Sequence, residues 1–98
     1  MYYILYHDSP VGTSRLDSPN ELMGVASGTI TPGPAWQRFE DLRRNDPQVA
    51  EELRVADESG RVLNAAVLEF DVGEDGAILV SIIINDAEYW HRVSVNKL

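Results

Sequence analysis

The stretch Ala77-Ile78-Leu79-Val80-Ser81-Ile82-Ile83-Ile84 decides the fold. Seven of its eight residues are apolar, and most are aliphatic or β-branched, which suits a packed, extended segment. At a two-residue period Ile78, Val80, Ile82 and Ile84 point one way. Ala77, Leu79 and Ile83 point the other, and only Ser81 interrupts that second row. A strand wet on one face alternates apolar with polar residues. The reading is therefore a central strand covered on both faces, because an exposed copy invites edge pairing and aggregation.

Working outward, residues 61–70 read as a strand that enters Asp75-Gly76, a strong hairpin signal. Beyond the central strand, Asn85-Asp86 reads as a turn. Residues 89–95 then alternate, with Tyr89, His91, Val93 and Val95 on one side and Trp90, Arg92 and Ser94 on the other. The last third is thus predicted to be a three-stranded meander. At the other end, residues 2–7 form a strand and Asp8-Ser9-Pro10 a turn, and residues 11–16 run back beside the first strand. Ser18, Pro19 and Glu21 fit a capping box and predict one helical turn before Gly24. Residues 23–30 read as a strand whose Gly24 and Gly28 mark a bulge or a close approach. Trp36, Phe39, Leu42 and Arg43 recur at three- and four-residue spacing, predicting an amphipathic helix over 35–44. Asp46-Pro47 then starts a second helix carrying Val49, Ala50 and Leu53, which Ser59-Gly60 closes.

The sum is one α+β domain over residues 1–98. It has a mostly antiparallel sheet of about five strands, a C-terminal three-stranded meander and two short helices on one face. So little helix covers one face of a sheet and hardly two. The other face is covered either by self-association or by a strongly coiled sheet folding over itself.

Composition narrows the function. The chain of 98 residues is 44% apolar and 24% charged, as globular domains are. It has no cysteine, which excludes thiol catalysis, disulfides and thiolate metal sites. Residues 1–8 lack the basic and apolar regions of a signal peptide, and no apolar run approaches a bilayer span of roughly 20 residues, so the expectation is a cytoplasmic chain without membrane contact. Sixteen acids against eight Lys and Arg give a net charge of −8, which opposes nucleic-acid binding and suits a basic protein partner. The charge is spread along the chain, which fits plain solubility equally well.

Motifs for chemistry are few. Asp71-x-Gly73-x-Asp75-Gly76 departs from a calcium loop at its third and twelfth positions, Gly73 and Ile82. Gly24-x-x-x-Gly28 lacks the lysine of a phosphate loop and the third glycine of a dinucleotide fingerprint. His7 and His91 lack ligand spacing, and no nucleophile elbow is present. No metal, cofactor or catalytic residue is expected. Pairing of residues 61–70 with 77–85 brings Asp57 and Glu58 toward Asp86 and Glu88 at one sheet end, and gathers Glu69, Asp71, Glu74 and Asp75 at the other. Trp90, on a row with Arg92 and away from the buried-looking row, is the best single binding residue. The expected protein-binding set is Trp90, Arg92, Asp86, Glu88, Asp57 and Glu58.

Residues 19–32, PNELMGVASGTITP, resemble a segment of small uncharacterised bacterial proteins of similar length, in which an MGVA-x-G core precedes a Pro and a helix. The resemblance implies a bacterial cytosolic protein and transfers no active site; seven Arg against one Lys agree with a GC-rich genome. The leading expectation is a small acidic, non-catalytic protein-binding domain, in its sharpest form an immunity or antitoxin-like inhibitor of a basic bacterial partner. A structural homo-oligomer, such as a homodimer, or an accessory protein is the first alternative. A small hydrolase-type enzyme using a histidine and a carboxylate is the second.

Overall fold

A computed structural model describes residues 1–96. The chain forms β1 (Tyr2–Tyr6), β2 (Ser9–Ser14), β3 (Ser18–Asn20), β4 (Val25–Pro32) and α1 (Trp36–Asn45). A 3-10 helix (Pro47–Glu52), β5 (Leu53–Ala56), β6 (Ala65–Val72), β7 (Ile78–Ile84) and α2 (Ala87–Asn96) follow. Every strand pairing is antiparallel, in the order β5-β1-β2-β4-β7-β6, and β3 extends the β2 side of β4.

The hairpin between β1 and β2 turns on His7 and Asp8, whose φ angles of 49° and 69° match the positive values a two-residue hairpin loop demands. Between β2 and β3, Leu16 takes φ 45° and its N–H bonds the Ser14 hydroxyl oxygen at 3.2 Å. That kink lets β2 pair with the end of β4 and β3 with its start.

The sheet curls until its two ends meet. The Leu63 N–H donates to the Val55 carbonyl at 2.8 Å, and Ala56 bridges Val62, so the segment entering β6 closes onto β5. Ile4, Val11, Ala26, Ile30, Val55, Val80 and Ile82 fill the space inside. Helix α1 stops one end: Phe39 packs on Tyr6 and Phe70, and Trp36 stacks on Phe70. Helix α2 stops the other, where Tyr89 meets the edge of Tyr2. Each aromatic plug buries a large apolar area while keeping a defined geometry.

Several expectations need correction. The sheet has seven strands, because residues 18–20 and 53–56 are strands where helical sequence was expected. The second helix stops at Glu52 as a 3-10 helix; Asp46 still caps it, accepting from the Gln48 N–H at 3.1 Å. The C-terminal meander is only a β6–β7 hairpin, and residues 87–96 are helical. Here the Asp86 side chain accepts the Tyr89 N–H at 3.1 Å, the N-cap bond of α2. With Asp86 as cap, Tyr89, Trp90 and Val93 fall on one helical stripe facing the core, at the expense of the strand alternation.

A further correction concerns β7. It lies inside the sheet, between β4 and β6, but only one face is covered. Ile78, Val80, Ile82 and Ile84 are buried, whereas Leu79 is 51% and Ile83 42% exposed. The coiled sheet supplies its own core, and the helices sit at its two ends instead of together on one face. Among the described residues no helix is long and apolar enough to cross a membrane.

Candidate functional site

Three surfaces carry groups able to recognise something. The first is the α2 end, where four of the six sequence-selected residues, Asp57, Asp86, Glu88 and Arg92, converge on one polar network. Asp86 is buried and accepts both Arg61 terminal nitrogens, at 3.0 and 3.1 Å, in a two-pronged pair. Its oxygens also take the Asn64 N–H at 3.0 Å and the Tyr89 N–H at 3.1 Å. Asp57, also buried, folds the loop after β5 around one oxygen, which accepts the Ser59 N–H, the Ser59 hydroxyl and the Arg61 N–H. Its other oxygen meets the Arg92 Nη1 at 3.4 Å, and Arg92 Nη2 meets Glu88 at 3.0 Å. Glu58 holds the N-terminal ammonium at 2.8 Å.

Electrostatics follow from this geometry. Arg61 hydrogen bonding, with two backbone N–H groups, holds the Asp86 carboxyl well below the usual carboxylate range despite burial. The Ser59 hydroxyl, helped by backbone N–H groups and Arg92, lowers the Asp57 carboxyl. Asp86 in turn raises Arg61. The Arg61 Nε lies 3.1 Å from Glu88 and 3.6 Å from Asp57 but without hydrogen-bond geometry to either, so its attraction there is that of a charge only. Burial pushes the Tyr89 hydroxyl up to about 12. Asp57 and Asp86 thus spend their charge inside the molecule, joining the β5 loop, β6 and α2.

Trp90 is half-buried beside this network. Its Nε1–H donates to the Ile84 carbonyl at 2.8 Å, and its ring meets the edge of Tyr89. The neighbouring Arg92, Glu88 and Glu58 remain exposed. Among the described residues no cluster of three or more His, Asp or Glu could hold a metal ion. His7 and His91 stand apart: His7 lies beyond the far end of β1 from the Tyr2–Tyr89 contact, paired with Glu52 at 2.9 Å, and His91 is exposed on α2.

The second surface is the outer face of β4, β7 and β6. Register places Val25, Ile83 and Ala66 in one cross-strand row, Ser27, Ser81 and Glu69 in the next, and Thr29, Leu79 and Asp71 in the third. The Ser27 and Ser81 hydroxyls bond each other at 2.8 Å. Just before β4 the turn displays Leu22 at 99% and Met23 at 71% exposure. No Lys or Arg occurs between Arg61 and Arg92, so the β6–β7 hairpin adds only acids to this face. Sequence reasoning expected this face to be covered, by self-association or by the coiled sheet itself, and placed no binding residue on it. The signal was the second apolar row of residues 77–84, read as buried.

The third surface is a cleft of about 360 Å³ at the α1 end, lined by Tyr6, His7, Ser9, Val11, Ala35, Arg38, Phe39 and Leu42. Its aromatic wall is the Tyr6 ring stacked at 4.1 Å on His7. No protein-family model, no curated protein and no solved structure matches the chain.

Proposed function

We propose that this chain is a non-catalytic protein-binding domain whose outer β4–β7–β6 face receives a protein with an apolar patch rimmed by Lys and Arg. The observation that carries the reading is the exposure of Ile83 and Leu79, with Val25 half-buried beside Ile83, on a sheet face that otherwise displays Ala66, Ser, Thr and acids. Apolar contact area with a single-signed rim is how interfaces combine affinity with partner choice. The occupant argued for is a basic protein and not a second copy. Two copies of this face would bring Glu69 and Asp71 toward their own kind, with no cation on either hairpin to offset the repulsion. An inhibitor of a basic partner is the sharpest form of this reading.

The α2 end supports the domain instead of leading the contact, with Glu58, Glu88 and Arg92 as its exposed contributors. The test is light scattering of the native protein, alone and after exposure to bacterial lysate, at low and high salt. The expected result is a monomer that retains a protein of high isoelectric point at low salt only. That retention is lost in Ile83→Asp and kept in Glu58→Gln. A salt-resistant dimer, an empty capture, or capture indifferent to Ile83→Asp would each overturn the proposal.

A further inference from the structure

The cleft at the α1 end is chemically unlike the rest of the molecule. In a chain of net charge −8, anions are repelled on approach, and most arginines already hold a carboxylate. Arg43 and Arg44 clasp Glu40, Arg61 holds Asp86, and Arg92 bridges Asp57 and Glu88. Arg15, Arg38 and Arg54 make no ion pair or side-chain hydrogen bond with the described residues. Arg15 shares a groove with Asp17, and Arg54 one with Asp8, Glu51 and Glu52. Arg38 is exposed and lines a cleft that has no acid in its lining. Arg38 shares that lining with the largely apolar Tyr6, Ala35, Phe39 and Leu42. Glu52, beside the lining residue His7, is engaged by the His7 Nε2 at 2.9 Å.

We propose that this cleft binds a small carboxylate carrying an aromatic body, with the ring against Tyr6 and Leu42 and the carboxylate paired with Arg38. A planar fork of donors matches one carboxylate in two-pronged fashion, and pockets of a few hundred Å³ with an apolar lining and few polar groups hold ligands of this size. A phosphate gains less here, because one cation stands against two negative charges and the ring lining finds no apolar partner. The site is separate from the proposed protein-docking face, so either proposal can fail alone.

The test is a heteronuclear NMR titration of the full chain with 3-phenylpropionate, run in parallel with 3-phenylpropanamide and with inorganic phosphate. A ligand of this size has an expected dissociation constant on the order of millimolar. Saturable shifts should appear at Tyr6, Ala35 and Leu42. Losing the charged pair, by the amide or by Arg38→Gln, should weaken binding about tenfold. Arg38 is exposed on α1, so this substitution leaves the core intact, and an unchanged amide spectrum away from the cleft verifies that. The proposal is overturned if the acid produces no saturable shifts, if the amide binds as tightly as the acid, or if Arg38→Gln binds like the wild type. Phosphate binding as tightly as the acid would reduce the site to a bare cation and equally overturn it.

Discussion

Replacing Asp86 by alanine removes four hydrogen bonds at once: two from Arg61, one from the Asn64 N–H and one from the Tyr89 N–H. The Tyr89 bond is the α2 cap, whose loss costs about 1 kcal/mol. Breaking a buried pair by removing one partner costs about 3–5 kcal/mol, chiefly for the charge left behind. Arg61 is 35% exposed and keeps Glu88 and Asp57 nearby, so its share falls below that range, to about 2 kcal/mol. The expected total is about 3 kcal/mol, a large part of the roughly 5–15 kcal/mol that holds a domain folded. In urea, with a slope of about 1 kcal/mol per molar, the midpoint should fall by about 3 M. Asp86→Asn keeps a capping oxygen and loses the ion pair, so it should lose about 2 kcal/mol. The folded Asp86 carboxyl is held below its unfolded value of about 3.9, so below that pH the unfolded chain binds the extra proton. Its contribution is therefore complete above about pH 4 and fades as the solution is acidified, and Asp86→Asn should flatten that acid limb. An Asp86→Ala midpoint within about 0.5 M of wild type would refute the account of the network, and identical losses in Ala and Asn variants would refute the cap.

Two further outcomes test the closed sheet. Gly12→Ala places a Cβ 2.5 Å from Ile30 Cγ2 and 2.7 Å from the Thr31 carbonyl oxygen, where backbone has to move. A loss of about 1–3 kcal/mol in chemical denaturation is expected, and a neutral result would show that β2 and β4 are further apart than described. Tyr89, whose hydroxyl is pushed up to about 12 by burial, should stay protonated while exposed tyrosines ionise. Its linkage has the opposite sign to that of Asp86: the contribution is present below the unfolded value of about 10 and disappears as pH rises toward 12. Ultraviolet titration should give wild type and Tyr89→Phe the same ionisation amplitude until alkaline unfolding begins, and a larger early amplitude in wild type would contradict its burial.

Where local chemistry was self-sufficient, the sequence was legible. The Trp36–Phe39 spacing marked α1, Asp46-Pro47 marked a helix start, and Asp75-Gly76 marked the β6–β7 hairpin. The strands β1, β2, β4, β6 and β7 were all anticipated, with ends shifted by a few residues. The convergence of Asp57 with Asp86 and Glu88 followed from antiparallel pairing, but Arg61, which holds them together, was not singled out. Residues 89–95 misled because Tyr89, Trp90 and Val93 satisfy a helical stripe while the same stretch alternates like a strand. Ser18-Pro19 misled in the other direction, offering helix-start chemistry to a segment that β4 recruits as β3.

By itself, the sequence determined that the chain folds as mixed α and β structure and that residues 78–84 form an interior strand, because a two-residue apolar period is a local property. Which row of that strand meets the core was decided only when β5 came round to the segment entering β6, since curvature belongs to the whole sheet and puts a single row inside. The final helix was decided in the same way. Asp86 caps it while bound to Arg61, 25 residues earlier in the chain, and no local pattern records a partner brought that close only by folding.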